Sequence, residues 1–480
     1  MDILHISAEC FPAAKVGGLA DVVGALPKYL NRQGVHASVI MPKYATDWIQ
    51  AHNFTTVFEG EANIGRETIG YAIQVLEGNE MGFPLFVVNI PDFFERPGIY
   101  VDPFTGSGYW DELERFLSFQ VAVLDWILSK EDKPDLVHCH DHHTALIPFM
   151  MTECFKYDEL KAVPTVLTIH NANYHGTYDF TKGQLLPDFN LQKAGLLEWN
   201  EKLNSLAAGL KCAWQITTVS ETYMKELAEN SNGLELLFQS EKQKSMGIIN
   251  GIDIEVWNPE TDSYLDHHYS IQTRTDGKAA NKKELCARFE LNPAYPTVSF
   301  IGRLVHQKGA DLLPDVFKQF FAVGKEVNFI VLGSGDPALH ERFHQMNEEY
   351  VGFFDATLDY NEELAHHIYA GSDFMVIPSR FEPCGLNQMY SMRYGTIPIV
   401  RNVGGLKDTV VDINEEGGYG FVFEEFSVEA AFEAVERALN LYENGKRMDR
   451  LRKRIMELNF SWNASAKQYI SMYNEVLDKK

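Results

Sequence analysis

Residues 1–30 read MDILHISAEC FPAAKVGGLA DVVGALPKYL, and this stretch decides the fold. Asp2 to Ser7 form a short apolar run that fits a buried strand. The pair Gly17-Gly18 breaks the pattern. Leu19, Val22, Val23, Leu26 and Leu30 then recur at helical spacing. The next apolar run is Ala37 to Met41. Strand, glycine turn, helix and strand make a βαβ unit, which requires parallel pairing and a right-handed crossover.

Working outward, the runs Leu85–Asn89, Leu136–Cys139, Thr165–Ile169 and Ile216–Val219 are further buried-strand candidates. Helical patterns follow most of them, as a doubly wound sheet requires. Asn258 to Lys283 is polar and poor in aliphatics, and is predicted to be the passage between two domains and the entry to the second. Strand logic restarts at Thr297–Ile301 and continues at Asn328–Leu332, Phe374–Ile377 and Ile397–Val400. Val403-Gly404-Gly405-Leu406 echoes Val16-Gly17-Gly18-Leu19, each before a helical pattern where backbone N–H groups can meet an anion. The chain is therefore predicted to be α/β, with two halves in tandem, 1–255 and 256–460. Ser461 to Leu477 follows as an amphipathic helix carrying Trp462, Tyr469 and Tyr473.

Bulk composition narrows the function. With 480 residues the chain is too long for one core. A formal net charge of −25 argues against nucleic acid or an anionic membrane as partner. The cysteines, at 10, 139, 154, 212, 286 and 384, form no Cys-x-x-Cys. Scattered thiols, an N-terminus without a secretory pattern and no long apolar window predict a cytoplasmic protein.

Three stretches carry a resemblance. They are Lys15-Val16-Gly17-Gly18-Leu19-Ala20-Asp21-Val22, Gly302-Arg303-Leu304-Val305-His306-Gln307-Lys308-Gly309 and Pro378-Ser379-Arg380-Phe381-Glu382-Pro383-Cys384-Gly385-Leu386. In this order and spacing the chain resembles the bacterial glycogen synthases and plant starch synthases, from Ile3 to about Trp462. The resemblance implies a GT-B fold, two Rossmann-like doubly wound domains facing each other across a cleft. It implies that the C-terminal helix crosses back to the first domain. It also implies retaining transfer of glucose from ADP-glucose to the non-reducing end of an α-1,4-glucan. A related GT-B enzyme using UDP-glucose or another acceptor is the alternative.

Departure of a nucleoside diphosphate releases negative charge, and positive charge must already be in place. The sequence has no Asp-x-Asp to hold a metal. Arg303 and Lys308 stand in a turn that opens a helix; arginine grips two phosphate oxygens and lysine adds a mobile charge. By resemblance this pair replaces a metal, so no metal and no other cofactor is expected. By resemblance Lys15 also sits on the donor phosphates, with Gly17 and Gly18 allowing close backbone approach. Asp21 then orders that loop; a helix-dipole carboxylate is the equal alternative.

On the sugar side, Glu382 before Cys384-Gly385-Leu386 offers a carboxylate beside several N–H donors, which suits sugar hydroxyls. The resemblance implies that Glu382 holds the glucose and that the reaction is front-face transfer. The residues alone also leave open Glu382 as the nucleophile of a double displacement, and Cys384 as a packing residue. His170 and Asn171 end the Thr165–Ile169 run, where ligands meet doubly wound sheets. By resemblance both touch the donor glucose. Asn250 is expected in the same cleft, or is a plain Asn-Gly turn. Tyr360 is expected to stack on adenine. The run His138-Cys139-His140-Asp141-His142-His143 is dense in metal ligands and superficially suggests a zinc hydrolase. The family pattern places Asp141 and His143 at the acceptor side, where it often has Trp in place of His142. Glu9 and Tyr100 are further acceptor-side candidates.

Overall fold

The computed structural model describes all residues, 1–480. The chain divides into two compact units. The first comprises Met1–Val219, Met224–Ile248 and Trp462–Lys480; the second comprises Ser220–Tyr223 and Ile249–Ser461.

In the first unit the strands are β1 (Asp2–Ile6), β2 (His36–Pro42), β3 (Phe54–Ile64), β4 (Glu67–Leu76), β5 (Leu85–Asn89), β6 (Leu136–His140) and β7 (Thr165–Ile169). The short β8 (Thr177–Asp179), β9 (Glu198–Trp199) and β10 (Lys202–Asn204) form a small sheet of their own in the order β8-β10-β9. β11 (Gln215–Thr218) and β12 (Ser245–Gly247) complete the main sheet, whose order is β12-β11-β7-β6-β1-β2-β5-β4-β3. All its pairs are parallel except those of β4, which runs antiparallel to β3 and β5. β1 pairs with β2 on one side and β6 on the other, so the winding reverses between β1 and β6. In doubly wound sheets that reversal opens a crevice at the strand ends.

The helix Gly18–Arg32 follows the Gly17-Gly18 break, with Asp21 in its first turn and Arg32 in its last, both favourable to the helix dipole. Its apolar stripe, Val22, Leu26 and Leu30, buries against Ile3 and Val35. The same cluster takes in Trp462, Ala466, Tyr469 and Tyr473 from the helix Trp462–Leu477. The chain's last helix is thus part of the first unit's core. The Tyr473 hydroxyl lies 2.7 Å from Nδ1 of His138 on β6.

The second unit holds β13 (Thr297–Ile301), β14 (Asn328–Leu332), β15 (Phe354–Thr357), β16 (Phe374–Ile377), β17 (Ile397–Arg401) and β18 (Phe421–Phe423). Its six-stranded sheet has the order β15-β14-β13-β16-β17-β18, all parallel, and its winding reverses between β13 and β16. Its strands are nearly all buried, which is why they read as continuous apolar runs.

The stretch Asn258–Lys283 is the entry to the second unit, as expected, but it lies inside that unit rather than passing between domains. A helix runs from Arg274 to Arg288, and Asp262, Leu265, Tyr269, Lys278 and Lys282 are buried in the second unit. Its polarity misled because the buried charges are satisfied internally. Lys278 Nζ donates to the carbonyls of Tyr369, Ala370 and Tyr394 and to Thr396 Oγ1 at 2.7–3.3 Å. Lys282 Nζ meets Asp373 Oδ2 at 2.6 Å, and Arg452 holds the other Asp373 oxygen at 2.5 Å. The charges of Lys282, Asp373 and Arg452 are tolerated because they are paired, while burial pushes the Lys278 amine well below its ordinary value.

Candidate active site

Most sequence-derived candidates follow strands at or beside the two reversal points, while Tyr360 follows the edge strand β15. In the first unit Glu9 follows β1, Asp141 follows β6 and His170 follows β7. In the second unit Arg303 follows β13, Tyr360 follows β15 and Glu382 follows β16.

Glu9 is 3% exposed and organises the loop before the first helix. Its Oε2 accepts the backbone N–H groups of Val16 and Gly17, and its Oε1 accepts the Tyr100 hydroxyl at 2.6 Å. Burial pushes its carboxyl above the usual range. The N–H groups of Val16 and Gly17 are therefore already taken by a carboxylate. Lys15 Nζ donates to Asp21 Oδ1 at 2.7 Å, with the lysine side chain 43% exposed. A Cβ built on Gly17 or Gly18 meets nothing within 4 Å, so the protein's own packing does not require either glycine.

Tyr100 stacks on His143, ring centroids 4.6 Å apart, and His143 lies on His142 at 3.7 Å. Between β6 and this pair sits Asp141, at φ 57° and ψ −178°. That backbone conformation is costly for any residue but glycine, and such strain persists where the surroundings enforce it. Asp141 Oδ1 accepts the backbone N–H of His170 at 2.7 Å and that of Asn171 at 3.5 Å. Burial raises the Asp141 carboxyl to about 7. Asn171 Oδ1 in turn accepts the Asn173 N–H at 3.0 Å. Glu9, Tyr100, His143, Asp141, His170 and Asn171 thus form one connected set.

Behind that set lie His5, which the sequence offered only as part of a strand, and His140, which it offered only within the ligand-dense run. His140 Nδ1 is 3.0 Å from His170 Nε2, and His140 Nε2 is 3.1 Å from His5 Nδ1. His5 is in register with His138 on the neighbouring strand β6, and His140, two residues further along, shares that face. Burial drives the His170 and His5 imidazoles down to about 3.

Two groups have metal-ligand composition: His5, His138 and His140, and Glu112, His142 and His143. In the first, His138 spends one nitrogen on Tyr473 and the other on Thr168 Oγ1 at 2.6 Å. In the second, His142 Nε2 stands 3.7 Å from Glu112 Oε1, and Glu112 Oε2 accepts the Tyr178 hydroxyl. His142 thus fills its position as the partner of a carboxylate.

In the second unit, Lys308 Nζ donates to both oxygens of Glu382 at 2.7 Å, and Ser379 Oγ donates to Oε2 at 2.8 Å. Glu382 is buried while the lysine is a quarter exposed. Gly309 makes this meeting possible. It sits at φ +68°, and a Cβ there would lie 2.1 Å from the Pro378 carbonyl oxygen. Gly404 plays the same part behind Glu382, since its Cβ would lie 2.0 Å from the Glu382 carbonyl oxygen. Cys384 is buried, and burial pushes its thiol up to about 12, so it remains protonated. Gly385 and Leu386 continue that turn into the helix Asn387–Arg393. Asn250 is buried, with its Oδ1 unsatisfied.

Two arginines are distinguished here. Arg380 is committed to structure: it grips Asp311 with both terminal nitrogens at 2.6 and 2.7 Å and stacks on Phe426. Arg303 is exposed and no carboxylate holds it. Tyr360 is 76% exposed, just before the helix Glu362–Gly371.

A glycogen synthase from Flavobacterium johnsoniae is 46% identical over 484 aligned residues, spanning 100% of both chains. Residues 2–240 match the starch synthase catalytic domain, and residues 281–455 match glycosyl transferases group 1. The chain belongs to the glycogen and starch synthase family. A solved member, the catalytic domain of starch synthase IV from Arabidopsis thaliana bound to ADP and acarbose, aligns with TM-score 0.86 at 32% identity. That alignment covers 99% of each chain. Sucrose-phosphate synthase from Thermosynechococcus elongatus, at 17% identity and TM-score 0.62 over the whole of both chains, shares the fold alone. The architecture of two doubly wound units is GT-B, and family membership makes the chain a glycosyltransferase. No helix is long and apolar enough to cross a membrane.

Proposed function

We propose that this chain transfers glucose from ADP-glucose to the non-reducing end of an α-1,4-glucan, with retention at C1 and without a metal. The observation that carries this reading is the Lys308–Glu382–Ser379 cluster beside the uncommitted Arg303. A diphosphate arriving there meets cations, and a sugar meets a carboxylate that is already oriented. Lys15 adds charge from the first unit, and its link to Asp21 is open enough to exchange for a phosphate. The starch synthase of known structure was solved with ADP, which supports an adenine nucleotide as the donor's base. Tyr360, exposed at the end of β15, is the proposed platform for that base.

In the proposed step the bond from C1 to the diphosphate oxygen breaks, and its electron pair leaves with ADP. Arg303, Lys308 and Lys15 stabilise that charge. The O4 hydroxyl of the glucan attacks C1 on the same face, and its proton passes to the departing phosphate oxygen. Both Glu382 oxygens accept hydrogen bonds, so the carboxylate is built to hold glucose hydroxyls rather than to attack C1. His170, Asn171 and Asn250 are proposed to line the donor glucose, with backbone N–H groups at Cys384 to Leu386. Glu9, Tyr100, Asp141 and His143 are proposed on the acceptor side, with Gly17 and Gly18 leaving room for the phosphates.

The test is incorporation of labelled glucose into glycogen, from ADP-glucose and from UDP-glucose, with and without EDTA. The expected result is incorporation from ADP-glucose that EDTA leaves unchanged. Preference for UDP-glucose, or loss of activity in EDTA restored by a divalent ion, sinks the respective part of the reading.

A further inference from the structure

The three buried imidazoles behind the strand ends form an ordered file. His5 Nδ1 lies 3.1 Å from His140 Nε2, and His140 Nδ1 lies 3.0 Å from His170 Nε2. His5 and His140 are 0% exposed and His170 is 8% exposed. The ring nitrogens at the two ends of the file differ. His5 Nε2 is buried with no partner. His170 Nδ1 makes no hydrogen bond to protein and is not among the buried unsatisfied atoms, so it is open.

A neutral imidazole carries one N–H and one lone pair. Two hydrogen bonds through three neutral rings therefore allow only two concerted arrangements. In one, every proton points away from His170, and a bare N–H is stranded at His5 Nε2 inside the protein. In the other, every proton points toward His170. His5 Nδ1–H then donates to His140 Nε2, His140 Nδ1–H donates to His170 Nε2, and the stranded group is only a lone pair. Orphaned buried N–H groups are much rarer than under-used acceptors.

The geometry points to the second arrangement: His5 and His140 are positioning residues that fix His170 as the Nδ1–H tautomer, presenting a neutral hydrogen-bond donor on its open side. A donor there fits a sugar hydroxyl oxygen, which accepts without a proton being moved. Burial keeps the file neutral, because taking these rings out of water disfavours their charged form. Asp141 completes the fixation from the other direction, holding the His170 backbone N–H at 2.7 Å. Main chain and ring are thus both clamped, and such support is what keeps an active-site group within the tolerance that catalysis needs. A metal at His5, His138 and His140 is the competing use of these rings. It would have to displace the bonds from His138 to Tyr473 and Thr168 as well as the file itself.

The consequence for turnover rests on the proposed glucosyl transfer; the tautomer does not. The direct test is a long-range proton–nitrogen NMR spectrum of the full chain labelled with 15N-histidine, at neutral pH, with His170→Asn used to assign the signal. The expected spectrum shows a neutral His170 protonated on Nδ1. An Nε2-protonated ring or an imidazolium overturns the assignment. The kinetic test is His140→Leu, for which kcat is expected to fall about tenfold or more while the donor KM changes less than about threefold. His140→Gln, whose amide can donate to His170 Nε2, is expected to recover most of the loss. An undiminished kcat in a folded His140→Leu variant overturns the positioning role. If the wild type transferred no glucose at all, the proposed function would fail while the NMR result still decided the tautomer.

Discussion

Replacing Glu9 separates anchoring from charge. Its carboxylate holds three donors, the N–H groups of Val16 and Gly17 and the Tyr100 hydroxyl. A hydrogen bond contributes about 1 kcal/mol net, more when one partner is charged. Val16 and Gly17 lie in an exposed loop, so water replaces the lost acceptor for them and the lower figure applies. Glu9→Ala is therefore expected to cost the Lys15 loop about 2 kcal/mol of order through its two lost backbone bonds, which is about thirtyfold in kcat/KM if it is spent on placing Lys15. The loop can open without the core unfolding, so Tm is expected to move by less than about 3 °C. Glu9→Gln behaves differently. Its amide oxygen can take the two backbone donors, while its NH2 faces Tyr100, whose hydroxyl turns to accept. That variant is expected to stay within about fivefold of wild type. The assay is initial-rate incorporation of glucose from ADP-glucose, with melting curves on the same samples. Wild-type kcat/KM in Glu9→Ala would refute the anchoring argument. Equal damage in both variants would move the weight from the anchor to the charge.

Lys308→Ala removes the cation that faces Glu382 and is expected to lower turnover at least about tenfold with weaker donor binding; unchanged kinetics would remove it from the phosphate site. Asp141→Asn is expected to change stability in a pH-dependent way. The folded-state carboxyl is raised to about 7, so the folded chain keeps a proton that the unfolded chain has already released. Stability is thus lost as pH climbs from about 4 to about 7, and an asparagine escapes that loss. The variant should melt about 4 °C higher than wild type at pH 8 and equally at pH 4, as measured by calorimetry. Tyr473→Phe leaves His138 Nδ1 unsatisfied and is expected to destabilise the first unit by about 1 kcal/mol in urea titrations.

The buried parallel strands were legible because both faces of each are covered. Thr165–Ile169, Thr297–Ile301, Asn328–Leu332 and Phe374–Ile377 occupy the ranges their apolar runs predict. The hairpin of β3 and β4 was not legible, since FTTVFEGEANI mixes exposed and half-buried positions in a strand with one wet face. The tract 258–283 misled for the opposite reason: Lys278 and Lys282 look solvated and are buried. Among the proposed site residues, motifs marked those whose side chains are charged, such as Lys15, Lys308 and Glu382. Ser379 was quoted only as part of a motif, and His5 and His140 only as parts of a strand and a ligand-dense run. Their work depends on which strand lies beside which, and no local pattern encodes that. The strained backbone of Asp141 was equally invisible, because an aspartate before a helical turn looks ordinary.

The final helix, seated among Leu26, Leu30 and Val166, means that the beginning of the chain waits for its end. During synthesis the nascent amino-terminal half must persist with a hydrophobic gap until Trp462, Tyr469 and Tyr473 emerge from the ribosome. A message truncated shortly before them yields a polypeptide that has all of its second-unit strands and an unsealed first unit. Such a product is one for chaperones and proteases to remove rather than a half-working enzyme.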